Sequence, residues 1–500
     1  MEASPDAHDP SAHAHPIRRL AKDLVVYGGG EVLVRAGGLL TLPIYTRALA
    51  ADQYGAWGFI VTAVGLLGVV VGLGSDSAYV RYYFRCRSLR EKQVLTSTWF
   101  GFLAVWTVAV SVALTALAPW TSSWFLGHHS YAFPLALAIL STPLTLMNGM
   151  FGEVLRNSFR PVAYTAMNLF GTLALITLTA VFVLVLHKGV TGLALSLDLS
   201  LAAALPIRIW LARDHLSRSF SSSLLRRLLR YGWPLVPSSI AYWIFAVSDR
   251  FVLAKLADLR AVGLYTVAAS ITATLGLFQV ALSRAWSPHA FKMYEHDPAA
   301  ASRLFGRVFT YIVLVFGLGC VFVSAFAHEI LVVLATPRYY GAAVAVGPLA
   351  LGYLAYATTQ ITAGPMTVME RTSYLARIAW AAAGLNLALN IALVPIWGMV
   401  ASAWATAAAY LFLTIAYIVV GQRLWRVDYD RRRAGTIALL TLVFTVASRV
   451  LPGQESPGAV SLKILFVLAF VGGLFAARVV GPSDWHELRA QVRTIEGVGT

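Results

Sequence analysis

The chain is 500 residues long, 58% hydrophobic and only 12% charged, with a formal net charge of +16 and a mean hydropathy of +0.70. Soluble domains carry about 25% charged residues and a membrane-crossing helix needs roughly 20 mostly apolar ones, so the composition excludes a soluble domain and leaves room for many spans. The basic excess does not indicate nucleic acid, because the cations sit in short loops between apolar segments rather than on one soluble face.

Residues 1–23 are polar and His-rich, with no signal-peptide core followed by a cleavage site. They read as a disordered cytoplasmic tail, with His8, His13 and His15 part of it rather than a metal site. The apolar segments then follow as Leu24 to Thr46, Tyr54 to Gly74, Val94 to Leu117, Ala132 to Leu155, Val162 to Leu186 and Val190 to Ile207. Next come Gly232 to Leu256, Val262 to Ser283, Leu304 to Ala325, Gly347 to Met369, Tyr374 to Val394 and Met399 to Val420. Gly435 to Leu451 and Val460 to Val480 complete the set, and the first serves as an uncleaved anchor. The sixth and thirteenth are short, which leaves twelve to fourteen spans open. The two cysteines give no disulfide framework: this topology puts Cys86 in a cytoplasmic loop and Cys320 inside a span.

Loop charge sets the orientation. Arg18, Arg19 and Lys22, then Arg81 to Lys92, Arg208 to Arg230 and Arg423 to Arg433 all fall on one side; the other side holds scattered cations such as Arg47, Lys188, Lys255, Arg260 and Arg338. The cation-rich side is cytoplasmic, which puts both termini inside. The expected organisation is a six-helix lobe over 24–210, a basic linker over 211–231 placed against anionic lipid, and a second six-helix lobe over 232–421. A basic loop over 422–434, a helix pair over 435–480 and a cytoplasmic tail over 481–500 follow.

A faint repeat links the lobes. Tyr27-Gly28 precedes Tyr54-Gly55-Ala56-Trp57 by 27 residues, and Tyr231-Gly232 precedes Val262-Gly263-Leu264-Tyr265 by 31, counted glycine to glycine. Six spans per unit give both copies one orientation, hence a parallel repeat.

A charge at mid-span costs roughly 2.5–3.5 kcal/mol on insertion scales, so each one demands a reason. Glu31 and Arg35 sit one turn apart on one face of the first span. They form either a self-compensating pair or a cavity site in which the guanidinium fork grips phosphate oxygens. Asp249 and Arg250 project about 100° apart, so that one can face a cavity while the other meets a helix. Asp198 and Glu153 are lone acids and candidate proton-titrating groups. Asn386 with Asn390, Gln279 and Gln360 suit hydrogen bonds between helices, and Gly68 with Gly72 suits close helix approach. Pro234, Pro237 and Pro365 are expected to kink helices. No phosphate-binding loop, dinucleotide fingerprint, zinc spacing or nucleophile elbow occurs, so no cofactor, metal or enzymatic activity is expected. The segment Trp286 to Asp297, with His289, Glu295 and His296, reads as a solvated loop.

Several motifs resemble the Wzx-type polysaccharide flippases, within the superfamily that includes lipid II flippases and MATE exporters. In the first lobe these are Arg35-Ala-Gly-Gly-Leu-Leu, Leu42-Pro-Ile-Tyr-Thr-Arg47, Tyr54-Gly55-Ala56-Trp57 and Gly72-Leu-Gly-Ser-Asp76-Ser-Ala-Tyr-Val-Arg81. The second lobe opens with Tyr231-Gly-Trp-Pro234, Ser248-Asp249-Arg250-Phe-Val-Leu and Val262-Gly263-Leu-Tyr265, followed by Ala285-Trp286-Ser-Pro288. The resemblance covers most of the first twelve spans. It implies an all-α polytopic membrane protein of about fourteen helices, with two six-helix lobes around a central cavity plus a C-terminal pair, working by alternating access.

The implied cargo is an undecaprenyl-pyrophosphate-linked oligosaccharide, moved to the outer leaflet of a bacterial inner membrane for exopolysaccharide, capsule or O-antigen assembly. On this reading Arg35 and Arg250 contact pyrophosphate, while Glu31, Asp249, Asp198 and Glu153 orient or couple. A polysaccharide polymerase is an expected partner alongside membrane lipids. Moving two negative charges outward down about 100 mV releases about 4.6 kcal/mol, which suffices without an ATPase. The rival readings are a MATE-like exporter of drugs or organic cations and a scaffold for a polysaccharide synthase.

Overall fold

The computed structural model describes residues 29–479 apart from 31, 35, 277–278, 280–285, 287–292, 295–296 and 452–457. Glu31, Arg35, the His-rich tail, His289, Glu295, His296 and the C-terminal tail lie outside the described residues. The described residues are almost entirely helical and contain no strand, and ten of their helices are long and apolar enough to cross a membrane.

The described chain divides into two compact units, residues to Leu49 with Ala56–Ile240, and Ala50–Gly55 with residues from Ala241 onward. The first contains α1 (29–48), most of α2 (Ala51–Gly72), α3 (Ser75–Tyr83), α4 (Leu89–Thr115), α5 (Ala132–Asn157), α6 (Pro161–Thr179), α7 (Gly189–Leu211) and α8 (Ser222–Gly232). The sixth apolar segment, short by hydropathy, is a full 23-residue helix because its polar end continues through Arg208 to Leu211. Ser88 caps α4 by accepting from the Glu91 amide, while the Glu91 carboxylate accepts from the Arg87 amide. The core at this end gathers Tyr79, Tyr83, Trp99, Phe151 and Leu228. The basic segment after α7 is not free chain: Ser221 caps α8, whose Leu228 is buried while Arg226, Arg227 and Arg230 stay exposed. Only 11% of the most apolar stretch of Pro161–Val185 is buried within the protein, which leaves its surface for lipid.

The second unit contains α9 (Val236–Leu256), α10 (Leu259–Thr272), α11 (Pro298–Ala325), the short α12 (Ala327–Leu334), α13 (Ala343–Thr362), α14 (Thr372–Leu424), α15 (Arg431–Ala447) and α16 (Ala459–Ala476). Asp258, Asp297 and Asp430 cap α10, α11 and α15 through backbone amides. α14 is two helices joined at Gly398, where φ 55° and ψ −136° lie in a region open essentially to glycine alone. The break falls between the eleventh and twelfth apolar segments. The three prolines expected to kink helices sit at helix starts instead: Pro234 in a 3₁₀ turn, Pro237 in the first turn of α9, and Pro365 at the opening of a short helix after α13.

Close backbone approach does not occur at the G-x-x-x-G pair. A Cβ on Gly68 would meet nothing within 4 Å, and one on Gly72 would meet only the Leu146 side chain. The repeat motif uses it instead: a Cβ on Gly55 would strike the Leu259 carbonyl, and one on Gly263 that of Ala51. Residues 50–55 and 259–263 thus press backbone to backbone within the second unit.

Candidate functional site

The second unit holds a connected set of buried polar side chains in its membrane-crossing part. Asp249 is 5% exposed; its Oδ1 accepts from Arg250 Nη1 at 3.3 Å, and its Oδ2 accepts a short hydrogen bond from the Tyr265 hydroxyl. The adjacent acid and base therefore bind each other, where helical projection alone suggested divergence. Arg250 also lies over the Tyr265 ring at 5.7 Å, and among the described residues its side chain has no acceptor besides Asp249. The Tyr265 hydroxyl sits 3.4 Å from Thr406 Oγ1, which accepts from Asn386 Nδ2. Ser248 donates to Asn386 Oδ1 at 3.3 Å, Asn390 Nδ2 to the same oxygen at 3.2 Å, and Ser402 to Asn390 Oδ1 at 2.6 Å. The turn at Gly398 makes this possible by folding Ser402 and Thr406 back onto Asn390 and Asn386.

One carboxylate among neutral side-chain oxygens is a hard-cation donor type, but every group here is engaged by a protein donor or acceptor. Among the described residues no group of three His, Cys, Asp or Glu gathers to hold a metal.

The first unit differs. Asp198 Oδ1 is buried without a partner. Glu153 is not alone, since Arg156 donates to it at 2.5 Å. Arg208, grouped with the loop cations by sequence, lies within α7 and is 7% exposed. Its Nη2 donates to Asn168 Oδ1 at 2.7 Å and its Nη1 to the Asn148 carbonyl at 3.4 Å, while Nε has no partner. At the same end Tyr83 meets His215 Nε2 at 3.1 Å; burial, then Arg160 and Lys92, lower the His215 pKa against the opposing pull of Asp214.

A groove of about 820 Å³ runs along the second unit between α11, α13, the later half of α14 and α15. Its walls are apolar, with Leu351, Leu354, Leu411 and Ile418 among them. It extends on α14 from Trp404 to Gln422, about 27 Å at 1.5 Å per residue, close to the thickness of a hydrocarbon core. Gln422, Tyr429 and Arg431 line one end of it, where the Tyr429 hydroxyl is buried without a partner. Hydropathy does not reveal such a groove, because lipid-facing and groove-facing residues are equally apolar.

A model of the family described as polysaccharide biosynthesis protein matches residues 20–294, more than half of the chain. The chain belongs to that family. It is the Wzx-like flippase family. An uncharacterized membrane protein of Methanocaldococcus jannaschii is 25% identical over 201 residues, 40% of each chain. Among solved structures, the lipid II flippase MurJ in an inward closed conformation superposes with a TM-score of 0.71 at 13% identity, covering 91% of this chain and 100% of that one. An inward-facing multidrug resistance MATE family transporter gives 0.67 at 15% identity, covering 78% and 97%. Those likenesses establish the fold, and the family together with the ten apolar helices makes the protein a multi-pass membrane protein of a flippase family.

Proposed function

We propose that this family member flips an undecaprenyl-pyrophosphate-linked oligosaccharide from the inner to the outer leaflet of a bacterial inner membrane by alternating access, serving exopolysaccharide, capsule or O-antigen assembly. The observation that carries this reading is the apolar groove with a polar and cationic end. A lipid-linked glycan must keep a long apolar chain in hydrocarbon while its charged head crosses. The groove suits the chain, and Arg431 and the unpartnered Tyr429 hydroxyl suit a phosphate arriving from the cytoplasmic leaflet.

In this proposal Arg250 is a pyrophosphate contact, oriented by Asp249 and Tyr265, with Arg35 and Glu31 filling the corresponding roles in the first span. Asp198 is a coupling group, because a half-buried acid whose inner oxygen has no protein partner can change charge without breaking a protein contact. Glu153, already paired with Arg156, orients. Both termini are cytoplasmic by loop charge, two six-helix lobes alternate, and a polymerase receives the product.

The test is the sidedness of lipid-linked oligosaccharide in proteoliposomes, with and without the protein, under an imposed potential. Protein-dependent appearance of glycan on the far side, faster when that side is positive, is the expected result. Absence of movement with several native glycans and well-folded protein refutes it; MATE-like export is then read from a panel of cationic dyes.

A further inference from the structure

At the opposite end of the groove lies a second, smaller cavity of about 250 Å³ with polar side chains in an otherwise apolar wall, bounded by the ends of α11 and α15 and the starts of α12, α13 and α16. The two spaces are consecutive along their shared helices. On α13 Gly347 lines the small cavity and Leu351, one turn on, lines the groove; on α15 Leu442 lines the groove and Thr445 the cavity. Arg449, in the cavity wall, sits over the ring of Trp404, which lines the groove, at 5.9 Å. By the loop-charge orientation this is the non-cytoplasmic end.

The cavity is rich in unused donors. Lys463 is 3% exposed and spends one of its three N–H groups on Glu329 Oε1 at 2.5 Å. Arg449 donates through Nη2 to the Val344 carbonyl at 3.2 Å and through no other nitrogen to protein. Thr445, 2% exposed, and Ser324, 9% exposed, have buried hydroxyl oxygens with no partner at all. Two cations against the single Glu329 carboxylate, whose Oε2 is buried without a partner, leave the surroundings net positive. A buried hydroxyl without a partner is unfavourable, and two of them facing the same cavity as a lysine and an arginine ask for a ligand with several acceptor oxygens.

We infer that this cavity binds the phosphate of a polyprenyl lipid whose chain lies in the adjoining groove. Lys463, Arg449, Ser324 and Thr445 donate to the phosphate oxygens, and Glu329 holds the Lys463 ammonium in place. The inference rests on the lipid reading of the groove and adds an outer-leaflet station to it, the point at which the transported lipid leaves or an emptied carrier rests. Inorganic phosphate and diester phospholipids offer the same oxygens, but continuity with a groove as long as the hydrocarbon core selects the long-chain carrier.

The experiment is native mass spectrometry of the full chain in detergent, titrated with a long-chain polyprenyl monophosphate and, in separate arms, with inorganic phosphate and with phosphatidylglycerol. Saturable binding of the polyprenyl lipid is expected, with Arg449→Gln weakening it about tenfold, the effect of one charge-assisted hydrogen bond. A paired K463M/E329Q variant removes acid and base together, leaving no orphaned buried charge, and is expected to weaken binding further. Since Arg449 is at the surface, its variant decides the matter even where the paired one fails to fold. Undiminished binding in R449Q overturns the inference. So does binding of inorganic phosphate alone as tight as that of the lipid, or phosphatidylglycerol binding equally well. Loss of binding with no flipping by wild type refutes the transport reading alone, whereas flipping by a wild type that shows no saturable binding refutes the station alone.

Discussion

The two units hold their membrane aspartates, Asp249 and Asp198, in opposite ways. In the second, Asp249, Arg250, Tyr265, Thr406, Asn386, Asn390 and Ser402 form one chain of hydrogen bonds, and Lys463 is neutralised by Glu329. In the first, among the described residues, Asp198 Oδ1 is partnerless, and Arg208 has neutral partners only. In a low-dielectric interior a satisfied network rigidifies, whereas an unsatisfied group is held at a cost that ligand or proton binding can relieve. Asp249 is therefore held as part of the structure, whereas Asp198 is held in a form ready to respond.

The sharpest way to break this comparison is to delete the central acid of the network. Asp249→Ala strands Arg250 and takes the acceptor from Tyr265, an expected loss of about 3–5 kcal/mol, read as a fall in melting temperature of purified protein. An unchanged melting temperature would mean that the network does not hold the unit together. The next effect is smaller. Gly398→Ala forces a side chain into a glycine-only conformation at about 1–3 kcal/mol. It is expected to loosen the Asn390–Ser402 bond and to lower the melting temperature less than D249A does.

In the first unit, His215 gives a pH-dependent arm. Its depressed pKa means that the unfolded chain takes up the proton more readily, so stability present above about 6.5 is lost as pH falls below that value. The total loss is about 1.4 kcal/mol per unit of pKa difference, and His215→Gln is expected to flatten the pH dependence in melting curves between pH 7 and 5. The smallest stability effect belongs to Asp198→Asn, which removes a half-buried charge whose inner oxygen has no partner. Its melting temperature should equal or exceed that of wild type, while the pH dependence of flipping in proteoliposomes is lost. A destabilised D198N with an unchanged pH profile would place Asp198 with the structural acids and erase the contrast between the units.

How much of the site was legible varies by residue. Asp249, Asp198, Asn386 and Asn390 stand out in sequence because polar groups in apolar segments are rare, and the structure places the first, third and fourth in one network. Lys463 carried the same signal inside the last segment and is the residue that reading by lobe motifs passes over. Arg208 was hidden by position, since a cation at the end of an apolar run reads as loop until the helix is seen to continue past it. The G-x-x-x-G pair misleads for the opposite reason: small residues permit close approach but do not choose a partner, and the neighbours of Gly68 are not there.

The sequence by itself determined the membrane class, the positions of the apolar segments, the family and the inventory of groups that a bilayer cannot ignore. These follow from transfer free energies and local motifs, which are properties of single residues and short runs. Only the tertiary structure decided which of those groups are paired. Asp249 meets Tyr265 and, through Thr406, Asn386, and Lys463 meets Glu329 134 residues away. The groove and its outer cavity also exist only between helices. The physical reason is that hydropathy acts along the chain, whereas hydrogen bonds and cavities depend on how faces of equal apolarity turn toward one another, which sequence periodicity in a lipid solvent does not encode.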